Sequence, residues 1–352
     1  MSDRLPKGVP QALLAALLFG ASTPLAKGLL SDLSPQVLAG LLYLGSGLGL
    51  GGLWLSRRGR RSEAEAGLTR RDLPWLLGAI VTGGLLGPLL LLIGLERTPA
   101  SAASLFLNLE GVLTALLAWF VFHENVDRRV ALGMLAIVVG GTVLAWGGRP
   151  EWGGIVGPVA IGGACFCWAI DNNLTREVSA SDPLQIAALK GGVAGTVNLA
   201  IGLMLTGSSA DLPRITLALV VGFFGYGLSL LLFVLALRDL GTARTGAYFS
   251  TAPFVGAILA TIFWHEPITL RLLVAGTAMG VGVWLHLTER HGHHHIHEGL
   301  SHRHRHVHDA HHQHAHGPHD PIGEPHIHHH EHTVLAHSHS HFPDVHHRHR
   351  HE

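Results

Sequence analysis

Glu110, Asp171, Lys190 and Lys27 stand inside long apolar stretches of this chain, where a charge is costly and each one is by default a functional candidate. Glu110 follows Asn108 about halfway through one such stretch. A carboxylate at that depth can bind a proton, a cation or the amine of a substrate. The alternative is a structural acid held by neighbouring hydroxyls. Asp171 and Lys190 lie in successive stretches at matching depths, so an ion pair across adjacent helices is open to them. That pair is either a neutralised structural bridge or part of a solute path. Lys27, near the end of the first stretch, is expected to reach the headgroups with its ammonium. Trp168, Asn198 and Tyr226 offer aromatic or polar surface to a ligand.

Other chemistry is excluded or displaced. Cys165 and Cys167 are two residues apart, about 200° around a helix, so they do not converge on one metal and form no disulfide framework. No P-loop, His-Glu-x-x-His or Gly-x-Ser-x-Gly occurs, so no enzyme and no ATPase is expected, and no cofactor is required. Of 29 histidines, 26 lie at or after His291, which separates a polar tail from an apolar body. His302, His304, His306 and His308 alternate with other residues, as do His337, His339 and His341. Imidazoles so arrayed suit Ni²⁺, Co²⁺ or Zn²⁺. A low-complexity polar segment buries too little surface to fold alone, so residues 289–352 are expected to be disordered.

The elements that position these residues follow from hydropathy. A helix needs about 20 apolar residues to cross a bilayer. Ten segments qualify: Val9–Leu30, Gln36–Leu55, Pro74–Leu95, Ala100–Phe122, Val130–Trp146, Ile155–Leu174, Pro183–Leu205, Ile215–Leu237, Thr242–Trp264 and Leu272–Leu287. A soluble helical protein would show a polar face on each helix, and Leu85–Leu95 has none. The expected fold is therefore all-α and integral to a membrane. Loops on the side of the N-terminus carry fourteen basic residues before the tail, Arg57, Arg58, Arg128 and Arg129 among them, against Arg97, Arg149, Arg214 and Arg271 opposite. Positive charge stays in the cytoplasm, so an inner-membrane protein with both termini cytoplasmic is expected.

The two halves resemble each other. His123-Glu124 recurs as His265-Glu266 at an offset of 142, and Ser34-Pro35 as Asp182-Pro183 at an offset of 148. Five spans per half place the halves in opposite orientations, an inverted repeat with a path near the midplane. The expected units are residues 9–146, 153–288 and the tail.

Leu109-Glu110, the run Thr114 to Ala118 and His123-Glu124 before a glycine-rich last span resemble the EamA-type repeat of the drug/metabolite transporter superfamily, as do Ala252-Pro253 and His265-Glu266-Pro267 in the second half. Phe19-Gly-Ala-Ser-Thr-Pro24 resembles the opening of that repeat. The resemblance spans about residues 9–287 and implies a transporter of metabolites or drugs. This sequence departs from the pattern at Gly111, where a proline is usual, and at Ala252, in place of the acid.

The function expected is a gradient-driven secondary transporter, in the exporting direction, of a small solute, with a metal-binding tail. The alternatives are a transition-metal exporter, or a membrane-tethered metal buffer or sensor. The partners expected are the lipid bilayer and a small-molecule or metal-ion substrate, with no nucleic acid. A homodimer is one assembly the sequence allows.

Overall fold

The computed structural model describes residues 8–58, 67–122, 128–145, 152–178, 181–206, 211–240, 242–288 and four short strands of the tail. With no water in a bilayer core, each backbone amide must be bonded within its own segment, so the apolar stretches become helices. In chain order these are α1 (Gly8–Leu29), α2 (Pro35–Arg58), α3 (Leu73–Ala79), α4 (Gly87–Glu96), α5 (Ala100–Phe106), α6 (Asn108–Phe122), α7 (Arg128–Ala145), α8 (Trp152–Val178), α9 (Pro183–Thr206), α10 (Leu212–Val221), α11 (Ser229–Leu240), α12 (Thr242–Phe249), α13 (Ala252–Trp264) and α14 (Leu270–Leu287). Eight uninterrupted or nearly uninterrupted helical stretches are long and apolar enough to cross a membrane, and Ala131–Ala145 and Ala252–Trp264 are shorter apolar helices. These match the ten expected spans, and Leu76, Leu91, Leu92 and Ile161 pack between them while Phe120, Leu217 and Ile258 stay on the outside.

Two spans are continuous but locally widened. Residues Ile80–Leu86 link α3 to α4 as a π-helical segment, and Gly222–Leu228 link α10 to α11 in the same way. Both limits of the second segment lie 142 residues after those of the first, the offset that relates the halves. Two other spans are broken. The fourth parts at Leu107 between α5 and α6, and the ninth at Ser250 and Thr251 between α12 and α13.

The repeated Ser/Asp-Pro pairs start equivalent helices. The Ser34 hydroxyl accepts the Val37 amide and the Asp182 carboxylate accepts the Leu184 amide, while the prolines open α2 and α9 where no amide is needed. Those two helices pack backbone to backbone. A β-carbon at Gly191 would stand 2.6 Å from the Gly47 nitrogen, and one at Gly47 would collide with Gly192. Small residues permit such an approach in a membrane, where packing rather than water drives association.

At the end of the spans opposite the N-terminus, the halves clasp each other. The Lys27 ammonium donates to the carbonyls of Leu95, Glu96 and Thr98, at the C-terminal end of α4. This corrects the expectation that Lys27 extends to the headgroups: a cation gains both hydrogen bonds and the negative end of the helix dipole there. From the second half, Glu266 accepts the amides of Ala100 and Ser101 at 2.7 and 2.9 Å and the Ser101 hydroxyl at 2.5 Å, capping α5. The Trp264 indole donates to the Pro24 carbonyl at 3.0 Å. His265 takes a left-handed conformation (φ 49°) as the chain turns from Trp264 to Glu266.

In the tail, Gly292–His297 (β1) pairs antiparallel with Leu335–Ser340 (β4), and Ser301–His306 (β2) with His326–Glu331 (β3). The tail was expected to be without such pairing, so these ladders are an addition to that expectation. The sequence supplies few apolar residues for a core there, and an isolated two-stranded ladder is marginal in water.

Candidate functional site

A cavity with about 670 Å³ of empty space, its open mouth included, lies between the two halves. Most lining residues fall between the middle of their spans and the side on which the chain begins, with Phe19 and Glu110 at mid-span and Tyr43 a little beyond it. Phe19 comes from α1, and Tyr43 and Ser46 from α2. Glu110 comes from α6, Trp168, Asp171 and Asn172 from α8, and Lys190 from α9. Tyr226 belongs to the second π-helical segment, Phe233 to α11 and Phe249 to the last turn of α12.

Glu110 sits in the first turn of α6, just after the break at Leu107. The break turns a mid-span position into a helix N-terminus, where a carboxylate is favoured. The Asn172 amide donates to Glu110 Oε1 at 2.8 Å. The other carboxylate oxygen makes no hydrogen bond among the described residues.

Asp171 and Lys190 are both buried, at 5% and 4% exposure. The ammonium donates to both oxygens of the carboxylate, and the Thr175 hydroxyl adds a bond to Oδ1 at 2.9 Å. The geometrically open ion pair is thus formed, and it is neutral as a unit.

The first π-helical segment supports the site from behind. Widening the helix frees carbonyls from the i→i−4 ladder. The Gly83 carbonyl accepts the Tyr43 hydroxyl at 2.6 Å and the Trp168 indole at 3.0 Å, and the Gly84 carbonyl accepts the Asn198 amide at 3.0 Å. Aromatic rings gather round Phe19. Its centroid lies 6.0 Å from Trp168 and 5.9 Å from Tyr226, both edge to face, and 5.4 Å from Phe249. Tyr43 and Tyr226 are 5.4 Å apart.

Of the residues singled out from sequence, Glu110, Asp171, Lys190, Trp168 and Tyr226 meet at this cavity, and Asn108 and Asn198 do not line it. Asn108 donates to the Leu105 carbonyl and lies against the Met279 sulfur; Asn198 is held by Gly84 and Gln36. Sequence reasoning missed Phe19, Tyr43, Asn172 and Phe249 as lining residues. Phe19 opens the Phe-Gly-Ala-Ser-Thr-Pro motif, a signal that was available. In the tail, His302, His304, His306, His337 and His339 lie on strands, and His308 and His341 lie outside the described residues.

The model of the EamA-like transporter family matches residues 6–146 and again residues 155–288. The chain belongs to the EamA-like transporter family. As an EamA-like protein it is a multi-pass membrane transporter. It is similar to an uncharacterized transporter of Methanothermobacter thermautotrophicus, 32% identical over 79% of this chain and 85% of that one. It is also similar to the transporter YvbV of Bacillus subtilis, 26% identical over 77% of this chain and 88% of that one. A quarter of this EamA-like chain is 43% identical to 72% of a probable 4-amino-4-deoxy-L-arabinose-phosphoundecaprenol flippase subunit ArnE of Klebsiella pneumoniae. A solved crystal structure shares the fold, with a TM-score of 0.60 at 16% identity over 78% of this chain and 95% of that one.

Proposed function

We propose that this protein is a secondary active carrier that exports a small organic solute from the cytoplasm, with Glu110 as the residue that binds the solute or the coupling ion. One observation carries the reading: Glu110 stands at a mid-span helix break, on a cavity between the halves, with one carboxylate oxygen unbonded among the described residues. A buried carboxylate in that position needs a partner of opposite charge, which a proton, a cation or the amine of a solute can supply. The basic loops on the N-terminal side support cytoplasmic termini in an inner membrane, and the cavity then faces the cytoplasm. Among the described residues, none that lines it is a histidine, cysteine or methionine, which favours an organic solute over a transition-metal ion. The absence of any ATPase motif supports a gradient as the energy source. The test is uptake in proteoliposomes under an imposed proton gradient, wild type against Glu110→Gln. The variant is expected to lose gradient-driven movement; undiminished uptake would remove Glu110 from the coupling role.

The tail supports an accessory reading as a metal-binding segment for Ni²⁺, Co²⁺ or Zn²⁺. Strand register sets His302 opposite His330, His304 opposite His328 and His306 opposite His326. It also sets His337 opposite His295 and His339 opposite His293. Positions two apart on a strand share a face, so each ladder collects histidines from both strands. Removing residues 291–352 and measuring metal content and metal tolerance of cells tests this; no change in either would sink it.

A further inference from the structure

We infer that the solute is an organic ammonium ion with a flat apolar body, its charge at Glu110 and its flat face among the rings around Phe19. The inference rests on the cavity being the transport site, as proposed above.

Charge comes first. Three charged side chains line the cavity, and two of them cancel. Asp171 has both oxygens bonded to Lys190 and a further bond from Thr175, so the two charges are spent on each other. Glu110 is left as the one uncompensated charge among the lining residues. An anionic solute would meet it with like charge and would have to pull Lys190 away from Asp171, stranding that carboxylate. A neutral solute would make no charge-assisted bond with Glu110, which would have to take a proton instead. An ammonium ion neutralises it and donates to its free oxygen, a charge-assisted bond.

The rings point the same way. An anion needs donors, and two of the aromatic ones are spent: the Tyr43 hydroxyl and the Trp168 N–H both donate to the Gly83 carbonyl. What these rings retain for a ligand is π surface. Aromatic faces carry negative potential and attract cations as well as flat apolar groups. Two of the three tyrosines of the chain are at this one cavity.

A panel of four probes tests the class on the full chain in lipid nanodiscs, by equilibrium binding at neutral pH: 2-phenylethylammonium, ethylammonium, phenylacetate and 2-phenylethanol. The first is expected to bind tightest. Loss of the ring, or of the charge, should each weaken binding about tenfold or more. Glu110→Gln should abolish the preference for 2-phenylethylammonium over 2-phenylethanol. Phe19→Leu should weaken 2-phenylethylammonium several-fold and leave ethylammonium unchanged. Phenylacetate binding as well as 2-phenylethylammonium would overturn the charge assignment, and ethylammonium binding as well would overturn the aromatic one. Both comparisons use the wild-type protein, so they stand even where a variant does not fold. The same probes in proteoliposomes separate the two readings. Binding without counterflow defeats the carrier and leaves the ligand class intact. Counterflow of an anion that survives Glu110→Gln defeats the class and leaves the carrier.

Discussion

The Asp171 carboxylate fills the space that a β-carbon at Gly83 would need. The acid is thereby pressed against the first π-helical segment on one side and clamped by Lys190 on the other. Gly83→Val should push Asp171 off Lys190 and leave a buried pair half-broken. The expected loss is about 3–5 kcal/mol of stability, read as a large fall in thermal midpoint in detergent. Gly51→Ala, where a β-carbon meets open space, is the control and should melt like the wild type.

The pair itself responds asymmetrically. Asp171→Asn alone leaves the Lys190 ammonium buried without a counter-charge and should destabilise by about 3–5 kcal/mol. Replacing both members, Asp171→Leu with Lys190→Met, should recover most of that loss, because two apolar side chains of similar volume carry no desolvation cost. A double variant that is stable but transports nothing would assign the pair a part in the solute path beyond neutral bridging. Thermal midpoints and proteoliposome uptake on the same preparations decide it.

Capping by Glu266 ties the second half to the start of α5. Glu266→Ala removes an acceptor from two amides and a hydroxyl, and a lost N-terminal cap costs about 1–2 kcal/mol. The midpoint should fall accordingly, and Glu266→Gln, which keeps one acceptor oxygen, should fall less. Equal melting of all three proteins would show that water serves these amides as well as Glu266 does.

A pH effect is expected outside the membrane, where Asp32 meets Arg214 at 2.8 Å. The Ser31 hydroxyl first, and then the Arg214 guanidinium, hold the Asp32 carboxyl below the usual carboxylate range, against slight desolvation. A lowered folded-state value means stability present at neutral pH and lost as the pH falls through that value. Wild type and Asp32→Asn should therefore differ slightly in thermal midpoint near neutrality and converge in acid. The difference should shrink with added salt, since both side chains are exposed.

Much of this was legible because hydropathy acts on averages over a whole span. Val9–Leu30 against the observed Gly8–Leu29, or Pro74–Leu95 against Leu73–Glu96, differ by one residue. Glu110, Asp171 and Lys190 stood out for the same reason: a charge in an apolar run is rare enough to read singly. The ring cluster was not legible. Phe19 or Phe249 in an apolar helix looks the same whether it faces lipid, core or cavity, and only the crossing of α1 with α8, α12 and the second π-helical segment brings those rings together. The break at Leu107 has no proline or glycine at the break itself to announce it, whereas Pro253 stands near its counterpart. Lys27 was misjudged because snorkelling assumes that the nearest polar partner is the headgroup layer, and here it is the carbonyl end of a neighbouring helix.

The two widened segments, Ile80–Leu86 and Gly222–Leu228, carry a consequence for any redesign of this chain. A π-helical turn holds one residue more than an α-helical turn, so it works as a phase shifter in the middle of a span. Straightening either segment into a regular α-helix with every residue kept would turn all that follows in that span by about 100°. Downstream of Gly222–Leu228, the side chains that now look onto the cavity, Phe233 among them, would be exchanged for ones that now look elsewhere. Such a straightening changes no residue, yet it would rewrite which side chains the solute meets.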